Sequence, residues 1–114
     1  MKFEKLNSFL NKEIVQIAIG KHQIQINLHP EGSISVESRM KLFDSRGKIV
    51  DQWEQNLEYL TSKLPVILGQ VIQKVKLHEE ELIIRTDGGF SLVITTNNAE
   101  GYESVVIQPG DIIL

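Results

Sequence analysis

The stretch Leu77-His78-Glu79-Glu80-Glu81-Leu82 sets one histidine beside three carboxylates. Those side chains can hold a divalent metal or move protons, so this is the first place to look for chemistry. Three adjacent side chains fan out in different directions, however, and do not converge on one ion. The other histidines, His22 and His29, fall in separate turn regions, and no HExxH or EF-hand spacing occurs. A metal site would need His78 and a distant loop to meet. The simpler reading is a solvated turn between two strands. Gly88-Gly89 has no following lysine-serine or lysine-threonine pair, so it reads as a turn and not a phosphate loop. No serine stands in a GxSxG elbow. With no cysteine in the chain, disulfides, thiolate metal sites and cysteine nucleophiles are excluded. Trp53 reads as core, with a ligand platform as the alternative. Arg39, Asp44, Arg46 and Glu103 read as surface charges, with a polar cluster near Tyr102 as the alternative. The sequence therefore assigns no catalytic, cofactor-binding or metal residue, and no cofactor.

The 114 residues carry 12 basic and 15 acidic side chains, well mixed, for a net charge of −3. A basic footprint for nucleic acid is missing, and aromatic residues for base stacking are few. The N-terminal apolar residues are interrupted by charges, unlike a signal peptide. Apolar runs fall far short of the roughly 20 residues that a membrane helix needs. A cytoplasmic protein with neither nucleic acid nor membrane as partner is expected.

Displaced by 58 positions, the sequence overlays itself without gaps. Leu6 falls on Leu64, Asn11 on Gly69, Ile14 on Ile72, Ile26 on Ile84 and Val36 on Ile94. Alternating strands overlay well whenever their phases agree, so duplication and mere similarity both stay open. Each unit reads as a short helical turn ended by Asn11 or Gly69, residues that tolerate a left-handed backbone. A strand, a turn and a second strand with period-two alternation follow (Ile24, Ile26 and Leu28 against Gln23, Gln25 and Asn27). His29-Pro30-Glu31-Gly32, or Asp87-Gly88-Gly89, turns the chain into a third strand. In the first unit that strand is expected to run on through Met40 and Leu42, interrupted at Ser38. Asp44 to Gly47 makes a further turn.

Between the units, Asp51-Gln52-Trp53-Glu54 resembles a capping box. Trp53, Leu57, Leu60 and Leu64 recur at helical steps, and Pro65 follows. These features predict an amphipathic helix. The expected fold is thus α+β, mainly antiparallel β: a single domain, 1–114, with one meander over 4–50, a helix over 51–64 and a second meander over 65–114. One continuous sheet, a sandwich and a partly closed barrel all fit. Unpaired edges predict pairing between chains, as in a homodimer.

The two units differ in one telling way. The turn positions pair Gln25 with Ser35 on the outer surface of the first, but Ile83 with Val93 on that of the second. This apolar pair needs cover. Ile72 is expected to join it, with Lys74, Lys76 and Arg85 as its rim. The helix is the favoured cover and a partner chain the alternative, so Ile83, Val93 and Ile72 are the candidate interface residues.

The runs "IQINLHPEGSISVES", "FDSRGKIVD", "LIIRTDGGFSLVI" and "YESVVIQPGDIIL" resemble a group of small bacterial domains of unknown function, some of them associated with toxin–immunity systems. That resemblance implies a binding role and carries over no catalytic residue. The function expected is a non-enzymatic protein-binding module, immunity-like, with its protein partner unidentified. The alternative is a small-ligand-binding domain with a pocket between sheet and helix near Trp53, hinted at by Ser38. An enzyme comes third, since it would need His29 or His78 beside a carboxylate in a cleft.

Overall fold

The computed structural model describes residues 7–20, 23–54, 63–96, 105–108 and 112–113. Among them, two short 3-10 turns, Asn7–Phe9 and Leu64–Ile67, each precede a run of five strands. The first run is β1 (Glu13–Ile19), β2 (Ile24–His29), β3 (Ser33–Val36), β4 (Arg39–Phe43) and β5 (Ile49–Glu54). The second is β6 (Ile72–His78), β7 (Glu81–Thr86), β8 (Ser91–Thr95), β9 (Val105–Gln108) and β10 (Ile112–Ile113).

Every pairing is antiparallel, and the strands form two five-stranded sheets. Sheet A has the order β1-β2-β3-β9-β10, and sheet B the order β5-β4-β8-β7-β6. Each unit thus keeps its three-stranded meander and sends its last hairpin into the other unit's sheet. β4 lies on β8, with Met40 opposite Ile94 and Leu42 opposite Leu92. In the same way β9 lies on β3, with Val105 opposite Val36 and Ile107 opposite Ile34. Period-two alternation turns Ile24, Ile26, Ile34, Leu82, Ile84 and Leu92 inward, and both sheets contribute to one buried apolar cluster.

The sheets are stitched at the starts of β1 and β6. Glu13 bridges Val71. Around that bridge the N–H of Asn11 donates to the carbonyl of Ile72 (2.8 Å), and that of Gly69 to Ile14 (2.7 Å). The N–H of Ile14 donates to Gln70 (2.8 Å), and that of Ile72 to Lys12 (2.9 Å). Residues 11, 12, 13 and 14 match 69, 70, 71 and 72 at the 58-residue offset, so the bonds form two equivalent pairs. Asn11 (φ 69°) and Gly69 (φ 85°) are both left-handed. Register shifts fall between Ile14 and Gln16 and between Ile72 and Lys74, again at matching positions. Phe9 and Ile67, also matched, are both fully buried.

Three expectations are corrected. The α+β class gives way to nearly all-antiparallel β, because no helix of seven residues or more occurs among the described residues. Residues 51–54 of the expected helix belong to β5, and residues 55–62, including Leu57 and Leu60, lie outside the described residues. Pairing with β4, where Trp53 stands opposite Met40, overrides the local pattern. Asp51 does serve a helical turn, but a later one. Its Oδ2 accepts from the N–H groups of Lys63 (3.0 Å) and Leu64 (2.8 Å), at the start of the second 3-10 turn.

The strand expected to run on from Ser33 breaks at Glu37-Ser38, where the chain leaves sheet A for sheet B. Within β1 the irregularity after Ile14 leaves Val15 and Gln16 exposed side by side, so plain alternation fails there.

Only a left-handed backbone closes the stitch at residue 69, where an added Cβ would meet no atom within 4 Å. We expect Gly69→Ala to lose about 1–2 kcal/mol from backbone strain alone. Gly69→Asn should lose less, as Asn11 does the same work. Chemical denaturation of the two variants measures the difference.

Candidate functional site

The residues with obvious chemistry are spread apart. His78 ends β6 opposite Glu81, and Glu79-Glu80 form the two-residue turn between them. Glu79 takes a positive φ of 54°, and its carboxylate lies 3.9 Å from the His78 imidazole, with both side chains in solvent. Glu79, Glu80, Glu81 and Thr95 line an open depression of about 430 Å³. His29 ends β2 in the other sheet, opposite Glu13. Among the described residues, no group of three histidines or carboxylates is placed to share a metal.

Asp44 is a turn residue. Its Oδ1 accepts from the backbone N–H groups of Arg46 and Lys48, each at 2.9 Å. The Lys48 N–H most of all, then the Arg46 N–H and the charges of both residues, hold its carboxyl below the usual range despite some desolvation. Glu103 and Tyr102, the other half of the suggested polar cluster, lie outside the described residues. Trp53 is buried in the core. Met40, Leu42, Asp51, Gln52, Trp53 and Leu64 line a cleft beside it whose room for a water molecule is about 0 Å³, against the roughly 300–1,000 Å³ of ligand sites. Ser38 donates its hydroxyl to the carbonyl of Thr95, so the break in the apolar pattern is a structural tie between β8 and the crossing chain.

The outer faces of the two sheets are built on the same frame and differ in chemistry. On sheet A, Gln16 and Asn27 stand opposite one another, as do Ala18 with Gln25 and Gln25 with Ser35. Gln25 Nε2 donates to Asn27 Oδ1 (3.0 Å), and Asn27 Nδ2 to Gln16 Oε1 (2.8 Å). This is a neutral surface, amide and hydroxyl at its centre, with Ala18 at one end of the row and the half-buried Val106 opposite Ser35. On sheet B the matching row is Lys76, Ile83, Val93 and Lys41, each residue directly opposite the next. Lys74 and Arg85 pair in the row beside it. Ile83 and Val93 are half-buried, while the four cations are exposed and make no ion pair among the described residues.

Ile72 does not belong to this face. It is fully buried, because the irregularity before Lys74 turns it into the core. Nor do residues 51–54 of the expected helix cover the face. Residues 51–54 form the far edge strand of the same sheet, and Trp53 points inward with Met40. Lys41 was hidden from sequence reasoning. Alternation with Met40 and Leu42 shows that it points outward, but nothing local reveals that β4 joins the second unit's sheet.

No known family profile, curated protein or solved structure matches the chain. No helix among the described residues is long and apolar enough to cross a membrane.

If the Ile83–Val93 pair serves the surface and not the core, its removal should be cheap. We expect Ile83→Ser and Val93→Ser to cost at most about 1 kcal/mol each in urea denaturation. Leu82→Ala, one residue away on the inner face, should cost about 2–5 kcal/mol.

Proposed function

We propose that this chain is a non-enzymatic protein-binding module, immunity-like in kind, and that it binds through the outer face of sheet B. One observation carries the reading. Two sheets with matched frames differ at the centre of their outer faces, where Gln25–Ser35 on sheet A is replaced by Ile83–Val93 on sheet B. An apolar centre within a charged rim is the usual anatomy of a protein interface. The pairs of matched bonds, bulges and left-handed residues support descent of the two units from one ancestor. After such a duplication the outer faces were free to diverge. The small cleft at Trp53 gives the ligand-binding alternative less room.

A photocrosslinking amino acid at position 83 or 93, introduced in the producing cells, should yield a discrete protein adduct. The same group at position 25 or 35 should yield none. Equal adducts from both sheets, or none from either, would dismiss this reading.

A homodimer is a separate proposal and uses an edge, not a face. Edge strands β1 and β6 occupy matching places, yet they are guarded differently. β6 carries Lys74 and Lys76, which discourage strand addition, whereas β1 reads EIVQIAI and carries no lysine. On β1, Val15 is 46% exposed and Ile19 48% exposed. Antiparallel pairing of β1 with a second copy would cover both. Sedimentation velocity should show a concentration-dependent dimer that Ile19→Lys dissociates. A monomer at all concentrations removes the proposal.

A further inference from the structure

The charges around Ile83 and Val93 say what kind of protein would fit. Lys76 and Lys41 bracket the apolar pair on its own row, with end Cα atoms about 14 Å apart at ordinary strand spacing. Lys74 and Arg85 flank it on the next row. A chain of net charge −3 thus sets these four exposed cations around the apolar pair, with Arg39 beyond Lys41 on the same face, while the matched positions of the other sheet, Gln16, Ala18, Asn27 and Val106, hold none. The cationic zone is also bounded. The same β6–β7 hairpin ends in Glu79, Glu80 and Glu81, and Glu81 lies only two residues, roughly 7 Å, from Ile83.

That boundary distinguishes among anionic partners. A nucleic acid or an anionic membrane spreads its charge well beyond 14 Å, so it would meet three carboxylates at the end of the face and a net negative chain behind it. The face also offers two β-branched aliphatic side chains at its centre, and its aromatic side chain, the half-buried Phe43 opposite Ser91, is a single ring and not a stack of base platforms. A compact acidic patch built around an apolar centre matches both the charges and the shape.

We infer that the sheet B face recognises a protein whose contact surface sets acidic side chains around an apolar centre, with a neutral or basic margin where it meets Glu79 to Glu81. This inference rests on the binding-module reading above and gives the partner's chemistry.

The test titrates the full 15N-labelled chain at low salt with four probes: an alternating Glu-Val peptide, its Lys-for-Glu counterpart, a single-stranded DNA oligonucleotide and phosphatidylserine vesicles. The acidic peptide alone should shift the amide signals of residues 41, 74–76, 83–85 and 91–93. Its binding should weaken on the order of tenfold in the Lys41→Glu/Lys76→Glu double variant, and similarly at high salt. The spectrum of the double variant confirms that it is folded, since both lysines point into solvent. Equal response to both peptides, or none to either, overturns the acidic-partner inference, as does tighter binding of the oligonucleotide or vesicles. Crosslinking at position 83 separates the two readings. Adducts there, with failure of the acidic peptide, leave a protein-binding face of different chemistry.

Discussion

The architecture depends on one small junction of backbone hydrogen bonds. Where β1 and β6 begin, Glu13 meets Val71, and two matched pairs of N–H···O=C bonds close around them. A backbone group buried at such a crossing must find a partner. Here each sheet supplies the partner for the other. The left-handed backbone at Asn11 and Gly69 lets both chains turn into the junction. Phe9 and Ile67, one residue type short of identical in role, then plug the core from either side. Bulges immediately after the junction release β1 and β6 into separate sheets.

Much of the meander architecture is legible in the sequence because it rests on local rules. Period-two alternation and turn residues place Ile26 opposite Ile34 and Ile84 opposite Leu92, as the sheets show. Asn11 and Gly69 are recognisable by type as left-handed positions. The failures have specific physical causes. Asp51 interrupts an otherwise inward-facing strand because its carboxylate satisfies Gln52, Lys63 and Leu64, and this disguises β5 as the start of a capped helix. Alternation counted back from Lys74 assigns Ile72 to the outer face, but the bulge between the two residues turns it into the core. The crossing of β4 and β5 into the other sheet is non-local, and no short window of sequence contains it. Of the candidate site, Ile83, Val93 and three of the four cations could be read, and Lys41 could not.

Matched frames make the contrast between the outer faces meaningful. The inner faces are constrained alike, since both must fill one core. Thr86 occupies the place of Leu28 and is tolerated in burial because its hydroxyl donates to Gln70 and accepts from the N–H of Phe90. The outer faces carry no such packing demand. One became a ladder of amides that bond to each other, and the other an aliphatic pair among cations. Differences that packing does not require are where function is best sought.

The exchange of hairpins also orders events during synthesis. β3 is complete once residue 36 has left the ribosome, but its second neighbour in sheet A is β9, beginning at Val105. Its bare edge must therefore wait until β9 has emerged, and until then the first meander is an open template for strand addition. Pairings this distant in sequence close slowly. The nascent chain is accordingly most vulnerable to association with its neighbours in the interval before Val105 to Gln108 emerge.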